Sequence, residues 1–387
     1  MTGIQQPVPA PAPATAGPGD ALVDLGWDPG WATAFLPHDA AGLVPARVVA
    51  AHRDAWIVAQ PGGAPDATAA VSGRFRHEAY GPGDFPAVGD WVALARSAGD
   101  GSPSLIQAVL PRRTAFTRSA GEERVAGNLV AEQVLAANVD VAFVVAGMDG
   151  DFNLRRIERY LAVAWSGGAT PVIVLNKADM AADVDGLRIA ASAVAPGVEV
   201  VAISALHGDG VEPLRAAYLA RGRTAVVLGS SGVGKSTLVN ALAGAERQRT
   251  AAVREDDSRG RHTTTHRELV RLPGGALLID TPGIRSLGVA GASDGLDPAF
   301  ADIAELALAC RFSDCRHAGE PGCAIAAALT SGRLSAERLA SHRKLEREAA
   351  HVARASDPLL RAEERRKWKA IHVSVNQHMR RKYGDDR

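Results

Sequence analysis

Between about residue 43 and residue 113, short apolar runs alternate with polar, glycine or proline turns. Five runs in this stretch have the length and spacing of β-strands, and no helical period separates most of them. The pattern predicts a small β-barrel, and the OB-fold is the five-stranded barrel that it favours. A β-domain of another kind, without a ligand, fits the same pattern. The five runs are LVPARVVAA, DAWIVA, AAVSGRF, GDWVALAR and SLIQAVL.

From about residue 139 the pattern changes to buried strands that alternate with helical segments. Short continuous apolar runs are typical of parallel strands covered on both faces, so the alternation predicts a doubly wound α/β domain. Beyond about residue 297 the pattern is helical. The predicted strands are Val139–Ala146, Pro171–Leu175, Val198–Ile203, Thr224–Leu228 and Ala276–Ile279, and the predicted helices are Leu154–Ser166, Val211–Ala220 and Lys235–Ala243.

Composition and charge are those of an ordinary globular protein. Of the 387 residues, 47% are hydrophobic and 22% are charged, and the formal net charge is zero. Attraction to nucleic acid therefore requires a local basic patch. No apolar run reaches the roughly eighteen residues of a membrane span. The N-terminus is rich in Pro, Ala and Gly and lacks a secretory signal, which predicts an extended, disordered tail and a cytoplasmic protein.

A phosphate-binding loop follows the predicted strand Thr224–Leu228. Its sequence fits G-x-x-x-x-G-K-[ST] between a strand and a helix, the context in which backbone N–H groups wrap nucleotide phosphates. We expect Lys235 to reach the β- and γ-phosphates and the Ser236 hydroxyl to bind Mg²⁺. A glycine-rich turn with an exposed lysine is the structural alternative. The loop comprises Gly229, Ser230, Ser231, Gly232, Val233, Gly234, Lys235, Ser236 and Thr237.

A second motif, Asn176-Lys177-Ala178-Asp179, follows another predicted strand. An aspartate carboxylate accepts two hydrogen bonds from guanine N1–H and its 2-amino group, and adenine offers neither donor there. A buried acceptor left unpaired rejects the wrong base by about ten-thousand-fold. Asn176 is expected to brace the loop and Lys177 to lie along the base. The tetrapeptide alone is commonly a chance strand-to-turn sequence, but with the phosphate loop it predicts a guanine-nucleotide site.

Two further segments complete the expected phosphate site. Asp280 ends a predicted strand and begins Asp-Thr-Pro-Gly, so we expect its carboxylate to hold Mg²⁺ through water and the Gly283 N–H to contact the γ-phosphate. A polar stretch from about 247 to 268 is typical of a mobile switch segment. Of its three adjacent threonines, Thr264 is the one that we expect to bind magnesium.

The motifs occur in a permuted order along the chain. The base-reading motif comes first, Ser204-Ala205 comes next, and the phosphate loop follows. The backbone N–H of Ser204-Ala205 is expected to meet guanine O6. Open α/β sheets bind ligands at the carboxyl ends of their strands, so spatial strand order decides the site and the permutation leaves it intact. Because Asp-Thr-Pro-Gly now leads into the C-terminal region, we hypothesise that the nucleotide state repositions that region.

The group that positions the attacking water differs from that of many GTPases. Ile284 follows Asp-Thr-Pro-Gly where those enzymes place a glutamine, and an aliphatic side chain cannot orient water. His262, in the polar stretch, is the candidate catalytic residue, since imidazole accepts a proton near neutral pH. A switch residue without a catalytic role is the alternative.

All three cysteines of the chain fall within fourteen residues, together with one histidine. An odd, clustered set without an export signal favours metal binding over disulfides. Three thiolates and one imidazole form the ligand set of a closed structural zinc site, although the spacing is not that of a common zinc finger. Chance clustering is the alternative. The four residues are Cys310, Cys315, His317 and Cys323.

The C-terminal tail is basic. Between Arg361 and Lys382 it carries eight Lys or Arg residues against two Glu residues, with Trp368 and Tyr383 interleaved. Such a segment can bind RNA phosphates and stack a base. A solvated charged helix fits the same composition.

The motif order, Gly-Asp-Trp-Val at 89–92 and the Cys₃His cluster together resemble the ribosome small subunit-dependent GTPase A family. The resemblance covers nearly the whole chain apart from the N-terminal tail. It implies a multidomain fold. The implied domains are an OB-fold β-barrel at 39–115, an α/β circularly permuted P-loop GTPase domain at 116–296 and a helical zinc-binding domain at 297–387. Composition, and not the resemblance, predicts the disordered tail at 1–38 and the basic tail at the C-terminal end.

The resemblance also implies an activity and partners. The activity is GTP hydrolysis stimulated by the small ribosomal subunit during late maturation of that subunit. The cofactors are one structural Zn²⁺ and the Mg²⁺ that accompanies GTP. The expected partners are the small subunit and its rRNA, with GTP and GDP. No membrane is expected, and the chain is expected to be a monomer.

Two other classes of protein share part of this pattern. A metabolic ATPase or kinase keeps the phosphate loop but has no need of a base-reading aspartate, so Asp179 separates it. A plain RNA-binding scaffold shares the barrel and the metal site but needs neither an intact phosphate loop nor Asp280. Neither class accounts for all of the motifs.

Overall fold

The computed structural model describes residues 22–52, 54–61, 64–97, 102–119, 132–244, 267–280 and 293–356. The strands are β1 (Val44–Ala51), β2 (Trp56–Ala59), β3 (Ala67–Val71), β4 (Trp91–Ala95), β5 (Ser104–Val109), β6 (Ala115–Ser119), β7 (Glu132–Ala137), β8 (Val141–Gly147), β9 (Thr170–Asn176), β10 (Val200–Ala202), β11 (Thr224–Leu228), β12 (Arg267–Arg271) and β13 (Leu277–Asp280). The helices are α1 (Pro29–Asp39), α2 (Gly73–Glu78), α3 (Leu154–Ser166), α4 (Val184–Ala193), α5 (Val211–Tyr218), α6 (Lys235–Ala243), α7 (Ser293–Ala299), α8 (Ala301–Leu308), α9 (Ala324–Thr330) and α10 (Ala336–Ser356).

The first five strands form a closed barrel. β1 pairs with β2 and β4, β3 pairs with β2 and β5, and β4 pairs with β5. This circular order, in which β3 and β5 are parallel, is that of the OB-fold, so the predicted barrel is confirmed. Side chains alternate between the two sides of each strand, and those facing inward are buried aliphatic residues such as Val48, Val58 and Ile106.

Two segments near the barrel differ from the sequence-based prediction. The tail predicted for 1–38 is wrong at its C-terminal end, because α1 begins at Pro29 and buries Trp31 and Phe35 in the core. Asp28 caps this helix by accepting from the Trp31 N–H at 3.0 Å. An aspartate followed by a proline is typical of a helix N-terminus, but the high proline content of the segment led to the prediction of a tail. The run AAVSGRF is strand only as far as Val71, because α2 follows it.

The remaining large sheet has the order β10-β9-β8-β11-β13-β12. Its first five strands are parallel and β12 is antiparallel to β13. Residues of one strand alternate between two cores: Phe143 packs with α5 and α6 below the sheet, and Val144 packs with α3 above it. This doubly covered sheet is the α/β domain that the apolar runs predicted. Helix α4, strand β12 and the β6–β7 pair were not predicted.

The barrel and the α/β sheet are continuous. Ala50 and Ala51 of β1 pair with Glu268 and Arg267 of β12, so one strand belongs to both. The junction is closed by the buried guanidinium of Arg47, which donates to the Leu25 carbonyl, the Gly89 and Asn138 carbonyls at 3.2 Å and Thr224 Oγ1 at 2.9 Å. Burial lowers the pKa of Arg47 to about 10, so it stays charged at neutral pH and its donors remain in place.

The C-terminal helices pack on α3. A Cβ on Gly295 of α7 would lie 2.0 Å from the Ala162 carbonyl oxygen, so the two helices approach at backbone contact. Arg338 of α10 is 5% exposed and donates to Glu158 of α3 at 2.9 Å and to Asp302 of α8 at 2.6 Å. Arg155 also pairs with Glu158, so the contact belongs to a network of four charged side chains, and loss of Arg338 would leave two acidic groups without their partner on α10.

None of the helices in the described ranges combines the length and the apolar character needed to cross a lipid bilayer.

Candidate functional site

The phosphate loop leaves β11 after Leu228 and enters α6 at Lys235. Two of its glycines are required by close approach. A Cβ on Gly229 would lie 2.4 Å from the Val145 carbonyl oxygen, and a Cβ on Gly234 would lie 2.3 Å from Asn176 Nδ2. Gly234 also has a φ of 89°, in the left-handed region that favours glycine. The loop is thus held against β8 on one side and against the end of β9 on the other.

Lys235 opens α6 and is buried. Its ammonium donates to the Ser230 carbonyl oxygen of the same loop. Ser236 and Thr237 follow in the first turn of the helix, whose free N–H groups and dipole favour an anion at this end. The loop therefore offers backbone donors, one ammonium and one hydroxyl within a single turn.

Asn176 joins the two motifs that the sequence separates by more than fifty residues. Its side chain is 2% exposed, its Nδ2 donates to the Val233 carbonyl oxygen at 2.9 Å, and its Oδ1 accepts from the Ala205 N–H at 2.9 Å. Both contacts cross between strands, because β10, β9, β8 and β11 lie side by side in that order. The backbone N–H groups of Ser204-Ala205, one of which is expected to meet guanine O6, both have protein partners in the structure: Asn176 accepts from Ala205 and the Asp209 carbonyl oxygen accepts from Ser204.

Asp179 lies at the same edge, in a short 3-10 turn after β9. The Ser204 hydroxyl lies 2.5 Å from its Oδ1. This hydrogen bond is the main cause that holds the pKa of Asp179 below its ordinary value, with the nearby His207 and Lys177 contributing. The carboxylate is therefore ionised and acceptor-only at neutral pH, which is the form that guanine requires.

Lys177 has a partner that the sequence analysis missed. Its backbone is left-handed, with a φ of 66°, and its ammonium pairs with the Asp149 carboxylate. Asp149 lies just beyond the end of β8. An acidic residue near the end of a neighbouring parallel strand is the sequence feature from which this partner of Lys177 could have been predicted. The pair fixes the position of the Lys177 ammonium beside the end of β8.

Asp280 ends β13. Val226 of β11 pairs with Ile279, so Asp280 lies level with Val227, two residues before the phosphate loop begins. The carboxylate and the Ser236 hydroxyl are therefore at one edge of the sheet, and both are oxygen ligands of the kind that magnesium prefers. His262, Thr264 and Gly283, the other predicted residues of this site, lie outside the described residues, as does the basic segment from Arg361 to Lys382.

The four predicted metal ligands converge. One ligand atom from each of Cys310, Cys315, His317 and Cys323 lies within 4.8 Å of the others, and His317 Nδ1 is 3.5 Å from Cys310 Sγ and 3.6 Å from Cys323 Sγ. Tetrahedral zinc with bonds of about 2.0–2.3 Å sets its ligands roughly 3.5–3.8 Å apart. The donor set and its spacing fit this ion.

Neighbouring groups hold the cluster in shape. The N–H groups of Ala324 and Ala326, in the first turn of α9, donate to Cys310 Sγ and Cys323 Sγ at 3.4 Å. Arg343 of α10 donates to the His317 carbonyl oxygen at 2.7 Å. N–H donors of this kind stabilise thiolates and orient them toward a metal. The cluster thus ties two helices of the C-terminal region to one loop.

Gly234→Ala is expected to weaken GDP binding far more than Gly232→Ala. Both glycines are left-handed, with φ of 89° and 84°, so each alanine adds about 1–2 kcal/mol of backbone strain. Only at Gly234 does the added Cβ meet Asn176 Nδ2; nothing lies within 4 Å of it at Gly232. Displacing Asn176 leaves buried polar groups unpaired, for a further ~1–3 kcal/mol. Calorimetric titration with GDP and thermal unfolding measure both variants, and equal losses would contradict the bracing role of Asn176.

Comparisons with known proteins agree with this geometry. Residues 109–290 match the family model described as RsgA GTPase. The small ribosomal subunit biogenesis GTPase RsgA of Opitutus terrae is 49% identical over 91% of this chain and 96% of its own length. The protein of the same description from Streptomyces coelicolor is 46% identical over 90% of this chain and 92% of its own length.

Solved structures share the fold. The crystal structure of YjeQ from Thermotoga maritima covers 78% of this chain and 97% of its own, with a TM-score of 0.57 at 23% identity. The crystal structure of YloQ, described as a circularly permuted GTPase, covers 80% of this chain and 96% of its own, with a TM-score of 0.55 at 21% identity. Both likenesses concern the fold, which is that of a circularly permuted GTPase.

Proposed function

This chain belongs to the RsgA GTPase family, and from that premise we propose that it hydrolyses GTP while bound to the small ribosomal subunit, in the late maturation of that subunit. The observation that carries the enzymatic part is the position of Asn176. It binds the phosphate loop through Val233 and the base-side loop through Ala205. One side chain thus makes a single nucleotide site from two motifs in permuted order.

The described residues have distinct roles in this proposal. The backbone N–H groups of the phosphate loop and the Lys235 ammonium bind the β- and γ-phosphates and stabilise the charge that develops on them. Asp179 accepts from guanine N1–H and the 2-amino group, while Lys177 lies along the base. Ser236 and Asp280 would hold magnesium, which supplies further positive charge at the phosphates when it is bound.

The residues outside the described ranges keep their predicted roles. Thr264 is proposed to bind magnesium with Ser236, Gly283 to contact the γ-phosphate, and His262 to accept a proton from the attacking water. Ile284 cannot perform the last task, so a second group supplied by the subunit is the alternative source of that function.

The C-terminal region and the setting of the reaction are part of the same proposal. Cys310, Cys315, His317 and Cys323 are proposed to hold one structural zinc ion, whose closed ligand set leaves no position for catalysis. The basic C-terminal segment is proposed to contact rRNA phosphates. A protein that acts on the small ribosomal subunit meets it in the cytoplasm. We therefore propose that this protein is cytoplasmic and that it acts there as a monomer.

Isolated small ribosomal subunits are expected to stimulate GTP hydrolysis by the purified protein, and isolated large subunits are expected not to. If the contact is to rRNA phosphates, the stimulation falls as salt rises, because released counterions compete. Phosphate release measured with each subunit at two salt concentrations tests this. Hydrolysis that the small subunit leaves unchanged would remove the ribosomal role and leave the GTPase assignment in place.

A further inference from the structure

A tight turn follows β10 and brings His207 back beside Ser204. The Ser204 N–H donates to the Asp209 carbonyl oxygen at 2.9 Å, and the Gly208 N–H donates to the Ser204 carbonyl oxygen at 2.8 Å. Gly208 completes the turn with a φ of 85° and open space around it. The turn therefore places His207 beside Ser204, whose Oγ accepts the His207 backbone N–H at 3.4 Å, and the His207 ring is not packed in the core.

Three polar groups then form a chain that ends at the base-reading carboxylate. Ser204 Oγ lies 2.5 Å from Asp179 Oδ1 and 3.0 Å from His207 Nδ1. His207 Nδ1 itself is 3.9 Å from Asp179 Oδ1, too far for a direct hydrogen bond. His207 thus reaches Asp179 through the serine hydroxyl.

The direction of each hydrogen bond follows from counting protons. An ionised carboxylate only accepts, so the single hydroxyl proton of Ser204 goes to Asp179. The serine oxygen then has only lone pairs left for His207, and one of them accepts the His207 backbone N–H, so a hydrogen bond from the ring requires a proton on Nδ1. His207 is therefore the Nδ1–H tautomer, or doubly protonated, and in both forms the chain runs from His207 through Ser204 to Asp179.

We propose that His207 is a positioning residue for guanine specificity, which fixes the Ser204 hydroxyl and, through it, the plane of the Asp179 carboxylate. This rests on the proposed GTP site and adds a residue that lies outside its motifs. Rotation of a carboxylate about its Cβ–Cγ bond is soft. Guanine presents N1–H and its 2-amino group in one plane, so both carboxylate oxygens must lie in that plane to accept. A donor that fixes one oxygen fixes the plane.

The proposal predicts that loss of His207 changes the binding of guanine and of hypoxanthine to different extents. Hypoxanthine has the N1–H of guanine but lacks the 2-amino group, so it needs only one carboxylate oxygen. If the plane of the Asp179 carboxylate is no longer fixed, the affinity for guanine therefore falls more than the affinity for hypoxanthine. The side chain of His207 is 57% exposed, so its removal leaves no cavity in the core. A general loss of folding would weaken the binding of both bases equally.

The test compares the affinities of wild type, His207→Ala and His207→Asn for GDP and inosine diphosphate, with ADP as the base control. His207→Ala is expected to lower the ratio of GDP to inosine diphosphate affinity by about three- to tenfold, the size of one neutral hydrogen bond. His207→Asn, which can place an amide N–H donor near the position of Nδ1, is expected to restore the ratio.

The possible outcomes distinguish the role of His207 from the proposed guanine-nucleotide site on which it rests. An unchanged ratio in His207→Ala, or equal losses of both nucleotides that His207→Asn does not rescue, would overturn the role of His207 and leave the guanine site standing. A wild-type protein that binds ADP as well as GDP would overturn the base-site assignment and the His207 proposal with it.

Discussion

Asp179→Asn is expected to lower GDP affinity by about 10⁴-fold and to create a preference for xanthosine diphosphate. The carboxylate accepts from two donors of guanine, and an amide in its place presents an N–H₂ group to the guanine 2-amino group. Two donors then face each other, and unpaired buried groups give discrimination of this size. Xanthine carries a carbonyl at that position, so the amide donates to it and the pairing is restored. The Ser204 hydroxyl, which is 2.5 Å from Asp179 Oδ1, can still donate to the amide oxygen.

Titration of the variant with GDP and xanthosine diphosphate at fixed Mg²⁺ measures the inversion. Asp183→Asn is the matched control. Asp183 caps α4 by accepting from the Gly186 N–H at 2.8 Å, and asparagine is an equally good cap. The same chemical change four residues away should leave GDP binding as it is. A variant at Asp179 that still preferred GDP would show that another group reads the base.

Removal of the metal that we propose at the cysteine cluster is expected to unfold the C-terminal helices. Binding of zinc by such a ligand set contributes apparent free energies of about 10–16 kcal/mol at neutral pH, as much as the whole stability of an ordinary domain. The cluster joins the start of α9, through Cys323, to α10, through the contact of Arg343 with His317. Loss of the ion removes the bonds that join the three cysteines and His317, because the thiolates take up protons again, and this releases both helices.

Metal content by mass spectrometry, circular dichroism and limited proteolysis before and after chelation follow this change. One zinc per chain and loss of helical signal on chelation are expected, with recovery when zinc returns. Cys323→Ser should reproduce the loss, while Ser313→Ala, an exposed change in the same loop, should keep both the metal and the helices. A chelated protein with full helical content and unchanged proteolysis would remove the structural role of the ion.

The sequence predicted well the elements that carry a local signal. The apolar runs gave the barrel strands and the parallel strands, and Leu154–Ser166 and Lys235–Ala243 have the predicted bounds. Helix α1 was missed because its first residues read as a proline-rich tail, yet Trp31 and Phe35 make it part of the core. Strand β12 was missed because its sequence, RELVR, is mostly charged. Its place is decided by pairing with β13 and β1, which no local pattern encodes.

The residues of the candidate site also fall into those that the sequence predicted and those that only the structure shows. The phosphate loop and the base motif have fixed spacings, and the metal ligands are the three cysteines of the chain clustered with one histidine, so the sequence alone predicted them. Asp149, His207 and the Glu158–Arg338 pair depend on which elements meet in space, and their contacts join residues that the chain order leaves unrelated. His207 is the nearest to a local signal, since it lies three residues after Ser204, but only the turn shows that its ring returns to the hydroxyl.

The contact of Glu158 with Arg338 has a consequence for how the chain is made. The two residues are separated by 180 positions, which a ribosome translating about 5–20 residues per second needs roughly ten to forty seconds to cover. Throughout that interval the nascent α3 lacks Arg338 and the C-terminal helices that cover it. Until Arg338 has been added, the ionic partner of Glu158 is Arg155 of its own helix. The contact that joins α3 to the C-terminal helices therefore forms only after most of the chain has been synthesised.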